Sequence, residues 1–220
     1  MSDILVIAPH PDDESLGCGG TLLKHLDCGD RVHWLIITGM DSPRFSEDEI
    51  NIRSKEIKKV NEMYGFSSIT EFNYPPAKLD QVETSKIIED LNHCIKQIKP
   101  NTIYTVFRND AHSDHQVVFD ATMSVTKSFR NSYTKRVLVY ETPSETNFSN
   151  PLASIFKPNL YINIEDFLEK KLQILNIYNS EMGNFPFPRS SEAIKALASI
   201  RGVEAGCMAA EAFMLIKEVR

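Results

Sequence analysis

The run from Ile4 to Ala8 is apolar throughout and breaks at Pro9-His10-Pro11-Asp12-Asp13-Glu14. Five consecutive apolar residues are too few for a helix. They read as a strand buried on both faces, the centre of a parallel sheet covered on each side. The two prolines end the strand and stiffen the turn, since each fixes φ and removes a backbone donor. One imidazole and three carboxylates fall at positions 10–14, followed by Gly17-Cys18-Gly19-Gly20, and Thr21 to Leu26 reads as a helix. A dense polar cluster therefore leaves the carboxyl end of a central strand, where open α/β sheets bind their ligands.

The remaining chain alternates strand and helix patterns. Strands are expected over 31–38, 69–74, 102–107, 136–140, 160–164 and 212–216. Ser46 and Glu49 have the spacing of a capping box, opening a helix to about Tyr64 with Ile50, Ile57, Val60 and Met63 on one stripe and Gly65 as its stop. Further helices are expected over 80–98, 116–129, 165–178 and 192–200. Loops are expected over 39–45, 141–158 and 179–191, the second long enough to suggest a functional role. This alternation predicts an α/β fold with a mainly parallel sheet flanked by helices. No repeat or linker divides the chain, so residues 1–220 are expected to form a single domain.

The formal net charge is −6, and no run of Lys and Arg is longer than a pair, which argues against nucleic acid or an anionic membrane as partner. No apolar run approaches the roughly 18 residues of a spanning helix, so no membrane insertion is expected. Cys18, Cys28, Cys94 and Cys207 lack metal-ligand spacing and read as reduced thiols. With no basic segment at Met1-Ser2-Asp3, the expected setting is cytoplasmic.

A second polar cluster, Arg108 to His115, follows the strand expected over 102–107. The two clusters hold three of the six histidines, and a parallel sheet can bring them together. Two histidines and one carboxylate are a ligand set for a catalytic zinc, with the fourth position left for water. A neighbouring carboxylate that is not a ligand can take a proton from that water. Simpler roles compete: Asp12, Asp13 and Glu14 would complement a helix N-terminus, and Asp114 would cap the helix at His115. Cys18, between glycines, reads as a small side chain. Gly17-Cys18-Gly19-Gly20 departs from a dinucleotide fingerprint and suits close packing better.

Pro9-His10-Pro11-Asp12-Asp13-Glu14 followed by Gly-x-Gly-Gly resembles the opening motif of the LmbE-like or PIG-L deacetylases, and His112-Ser113-Asp114-His115 is similar to their second motif. Arg53-Ser54-Lys55-Glu56, Pro188-Arg189-Ser190, Arg201-Gly202 and Ala210-Glu211-Ala212-Phe213 resemble further signatures, so the likeness spans almost the whole chain. It implies a Rossmann-like fold and a zinc-dependent N-deacetylase acting on a small-molecule conjugate of an N-acetylglucosamine-type sugar. It implies His10, Asp13 and His115 as metal ligands and Asp12 as general base. His112 would stabilise the oxyanion or protonate the leaving amine, with Asp114 supporting from behind and favouring its charged form. Arg53 and Arg189 would hold substrate. Ferrous iron suits the same ligands as zinc. The alternatives are a hydrolase of another amide and a sugar-nucleotide-binding module without turnover. Asp12 argues against the module, since binding needs no base. Ser113 replaces a proline, and Tyr74-Pro75-Pro76-Ala77 and Cys207-Met208-Ala209 depart from the family pattern, which bears on substrate choice. The sequence leaves open whether the chain forms a homo-oligomer.

Overall fold

A computed structural model describes residues 1–41 and 43–220; Ser42, in the loop expected over 39–45, lies outside the described residues. The elements run β1 (Asp3–Ala8), α1 (Asp13–Asp27), β2 (Arg31–Thr38), α2 (Glu47–Tyr64), β3 (Ser68–Tyr74), α3 (Thr84–Ile98), β4 (Thr102–Val106), α4 (Ser113–Val125), β5 (Arg136–Tyr140), β6 (Leu160–Asn163), α5 (Leu168–Leu175), α6 (Ser191–Ala205) and β7 (Ala210–Glu218). The seven strands lie in the order β3-β2-β1-β4-β5-β7-β6. The first five are parallel to one another, and β7 runs antiparallel to both β5 and β6. All of β1 from Ile4 onward is buried, as its unbroken apolar run requires.

Chain order reverses beside β1: β2 and β3 extend the sheet on one side, β4 and β5 on the other. Loops leaving β1 and β4 therefore diverge at a topological switch point and open a crevice at the strands' carboxyl ends. Both polar clusters sit on those two loops.

Several helix boundaries differ from the expected ones. α1 begins at Asp13, well before Thr21, and runs through the glycine segment with a kink at Cys18 (φ −140°, ψ 18°). A methyl at Gly17 would collide with the Tyr140 ring, and one at Gly20 would lie 2.8 Å from Ile164 Cβ, so these glycines serve close packing of α1 against the sheet. The kink frees two amides. Glu211 of β7 receives both, Gly20 N at 2.9 Å and Thr21 N at 2.7 Å, while Lys171 of α5 reaches Glu211 at 2.7 Å and the Leu16 carbonyl at 2.9 Å. This buried bolt gives the Ala-Glu-Ala-Phe signature its physical meaning. α4 starts at Ser113 rather than 116 and stops at Val125 rather than 129. The helix expected over 80–98 opens with a separate turn at Leu79–Gln81. α5 is shorter than expected, and α6 continues past Ile200 because Gly202 lets the returning backbone at Cys207 approach. The Ser46–Glu49 capping box and the left-handed Gly65 stop are as expected.

Candidate active site

The turn after β1 is anchored to β2, where Thr38 donates its amide and its hydroxyl to the Pro9 carbonyl at 3.0 and 2.8 Å. Asp12 occupies the position before α1 with φ 145° and ψ −29°, a conformation that costs a non-glycine residue about 1–3 kcal/mol. It makes no side-chain cap on the helix. Asp13 is the first residue of α1, and its Oδ2 accepts from the His10 amide at 2.9 Å. The same oxygen lies 3.3 Å from His10 Nδ1 and 3.4 Å from His115 Nε2. The early start of α4 places His115 in its first turn, facing α1 across the switch point.

Each imidazole is oriented from its far side. His115 Nδ1 lies 2.7 Å from Asp110 Oδ2, and Thr146 supports Asp110 through its other oxygen at 2.6 Å. His10 Nε2 lies 3.0 Å from Asp114 Oδ2. Asp114 also accepts from the amides of Ala77 at 2.7 Å and Leu79 at 3.1 Å, so the Pro75-Pro76-Ala77 turn is docked on it. Carboxylates that fix the tautomer of metal-binding histidines do so in this way. Asp110 was not among the residues singled out from the sequence, although its spacing of five before His115 was visible.

The cluster fits a metal ion. One donor atom each from His10, Asp13 and His115 lie within 4.8 Å of one another. His115 Nε2 is buried and has no hydrogen-bond partner, an expensive arrangement for a polar atom unless something else binds it. His10, His112 and Asp114 form a second such group, but Asp114 is already committed to two amides and a ring nitrogen. Charge points the same way. Burial works against protonation of both imidazoles, yet Asp114 and Asp13 raise His10 to about 9, and Asp13 and Asp110 raise His115 to about 10. Burial likewise opposes ionisation of Asp13, and the two histidines overcome it and hold its carboxyl far below the usual range. The site is built to hold positive charge, as protons or as a metal.

Asp12 points away from this cluster's back and toward the cavity. Burial, then the charges of Asp13 and Glu181, push its carboxyl well above the ordinary carboxylate range. Arg189 Nη1 lies 3.4 Å from its Oδ2. Glu181 bridges Arg189, at 3.2 Å, and Arg53. Arg53 is buried and its other donors are committed: Nη1 to the Pro11 carbonyl at 3.0 Å, Nη2 to Ser180 at 3.2 Å. Glu181, in the 179–191 loop, joins the two arginines in a role the sequence did not reveal, since nothing in its neighbours distinguishes it from surface charge.

His112 is half-buried and precedes α4. Its Nδ1 accepts from the Asp114 amide at 3.2 Å, which leaves its proton on Nε2. Asp114 does not hold it charged: the carboxylate is 3.9 Å away and engaged with His10, and burial together with His10 lowers the His112 pKa. A cavity of about 490 Å³ opens over these groups, lined by His10, Asp12, Asp13, His112, His115 and Arg189 together with the apolar Met40, Phe45, Ile50 and Ile57. Its size suits a small molecule.

Residues 5–126 match the family model described as PIG-L: GlcNAc-PI de-N-acetylase. The chain is 23% identical to a probable N-acetyl-alpha-D-glucosaminyl L-malate deacetylase 2 of Bacillus anthracis, over 81% of this chain and 80% of that one. Its fold is similar to N,N'-diacetylchitobiose deacetylase from Pyrococcus horikoshii, with a TM-score of 0.78, 21% identity, and coverage of 98% and 84%. It is also similar to GalB, a 4-carboxy-2-hydroxymuconate hydratase from Pseudomonas putida, with a TM-score of 0.75, 16% identity, and coverage of 100% and 98%. The fold alone thus accommodates more than one reaction, and the side chains at the switch point must decide among them. The matched span carries both polar clusters and the whole His10–Asp13–His115 group, and on that match the chain belongs to the PIG-L (LmbE-like) family.

Proposed function

We propose that this chain is a metal-dependent deacetylase that hydrolyses the N-acetyl group of an N-acetylglucosamine-type conjugate. The observation that carries the reading is the buried, unpartnered His115 Nε2 beside Asp13 and His10, with Asp12 adjacent and free of any capping bond. His10, Asp13 and His115 would hold the metal, zinc by preference, with ferrous iron suited to the same donors. When bound, such an ion acidifies water and polarises an amide carbonyl. Asp12 takes a proton from the attacking water at its carboxylate, and burial, which raises its pKa, makes it a stronger base than an exposed carboxylate. His112, neutral with its proton on Nε2, donates to the amide oxygen as negative charge develops there. Asp114 keeps His10 oriented. Arg189, which lines the cavity, meets the sugar or its substituent. Arg53 lines the cavity with its donors committed to the Pro11 carbonyl and Glu181, and so shapes the wall beside Asp12.

The relatives point to glycosides of N-acetylglucosamine with small substituents, and the cavity volume agrees. Acetate release from a panel of such conjugates, free N-acetylglucosamine, sugar nucleotides and chito-oligosaccharides, with protein reconstituted with one metal per chain, tests the reading. Absence of acetate from every member, metal being bound, overturns it.

A further inference from the structure

Glu14 belongs to the motif yet does not line the cavity and is fully buried. Its carboxylate turns back into the protein. Oε2 accepts from the backbone amide of Asp12 at 3.1 Å, while Oε1 accepts from Ser15 Oγ at 2.6 Å and Tyr178 Oη at 2.9 Å. Tyr64 adds a further contact to Ser15 at 3.0 Å. The cradle reaches the cavity through the Asp12 amide, and the Tyr178 ring also packs against the Arg53 guanidinium, 5.6 Å from its centroid. That amide belongs to a residue whose φ of 145° is rarely adopted by L side chains.

The alternative open to Asp12 is clear from its position. A residue before a helix ordinarily has an extended backbone and turns its carboxylate onto the amides of the first turn. Asp12 does neither. The Asp12 carbonyl still begins the helix, receiving Ser15 N at 3.0 Å and Leu16 N at 2.8 Å, but its amide is held by Glu14 and its carboxylate is released toward Arg189 and the cavity.

We infer that Glu14 is a positioning residue: by clamping the Asp12 amide it prevents Asp12 from capping α1 and holds its carboxylate over the metal group. This rests on Asp12 being the base of the proposed deacetylation. Tyr178 and Ser15 would serve the clamp by fixing Glu14, with Tyr64 steadying Ser15 in turn, which explains why a tyrosine and a serine both bond a carboxylate that never meets substrate.

The test combines a double-mutant cycle with structures of the variants. In metal-loaded protein, Glu14→Ala should lower kcat by about 10²-fold, the scale expected of a catalytic group displaced by an ångström, with KM changed less than about threefold and metal content unchanged. Glu14→Gln, which keeps an acceptor, should restore most of the loss. In an Asp12→Asn background Glu14→Ala should have no further effect on kcat, because nothing remains to be positioned. A full additional loss in that background would overturn the inference, as would wild-type kcat in Glu14→Ala. If Glu14→Ala does not fold, Tyr178→Phe and Glu14→Gln carry the same cycle with smaller losses. The crystal structure of Glu14→Gln or Tyr178→Phe is compared with that of Glu14→Ala where it folds: Asp12 in Glu14→Ala should leave positive φ and turn its carboxylate onto the Glu14 and Ser15 amides, and an unmoved Asp12 would overturn the clamp. That structural result stands apart from turnover. Wild-type protein that releases no acetate would remove the deacetylase reading while leaving the clamp to be judged by the Asp12 conformation.

Discussion

Asp110 Oδ2 lies 2.7 Å from His115 Nδ1, and this contact decides which nitrogen of His115 is left for a metal. The ring is fully buried between α4 and the β1 loop, so it has no water to fall back on. Asp110 sets both its tautomer and its angle.

Asp110→Asn or Asp110→Ala should therefore weaken metal binding by about 10- to 100-fold without removing a ligand, the usual scale for such supporting groups. Competition against a chromogenic chelator measures it. Unchanged affinity would mean that helix packing alone orients His115.

Metal binding should also grow stronger as pH rises. In the metal-free chain the raised pKa values of His10 and His115, about 9 and about 10, add stability that is fully present below an unfolded value of 6.5 and lost as pH climbs through 9 to 10. The metal displaces those protons, so its stabilisation should widen across that window. Melting curves of stripped and loaded protein from pH 6 to 10 should diverge steadily, and calorimetry in buffers of different ionisation enthalpy should find about two protons released per metal at neutral pH.

Asp12→Asn should keep metal and lose activity by about 10²- to 10⁴-fold, since the amide cannot accept the proton. Elemental analysis alongside kcat separates this from ligand loss.

Glu181→Gln removes a negative charge that helps push Asp12 upward. The acidic limb of kcat/KM should move to lower pH in this variant, because the Arg189 guanidinium is then left to Asp12 without a competing carboxylate. A pH profile of both enzymes gives the sign directly.

Glu211→Ala should be costly to stability and neutral to the metal ligands. It leaves Lys171 buried without its partner and two amides at the α1 kink without acceptors, a loss of about 3–5 kcal/mol. At about 2–4 °C per kcal/mol for a chain of this size, thermal melting resolves it easily.

Much of this was legible in the residues. The run Ile4–Ala8 could only be a central strand, and two His/Asp clusters on strand ends announced their meeting. The Ser46–Glu49 box and Gly65 bounded α2 within a residue. The start of α1 was not legible. Proline and glycine argued for a turn up to Thr21, whereas the helix begins at Asp13 and survives its glycines because a carboxylate nearly two hundred residues away repairs the kink. Nor was the Asp114–His10 link, which displaces the expected Asp114–His112 pairing; residues 104 positions apart announce no contact. Glu181 was hidden for the same reason, its partners Arg53 and Arg189 being brought to it only by the fold.

The bolt at Glu211 has a consequence in time. All three proposed ligands emerge from the ribosome within the first 115 residues, but α1, which carries Asp13, cannot satisfy its inner amides until residue 211 follows. At roughly 5–20 residues per second that interval is on the order of ten seconds. Through it the nascent chain holds its ligand loops with the helix between them unfinished, and a strand made long after α1 is the one that completes it. Pulse proteolysis of stalled chains ending before and after β7 should show α1 becoming protected only in the longer ones.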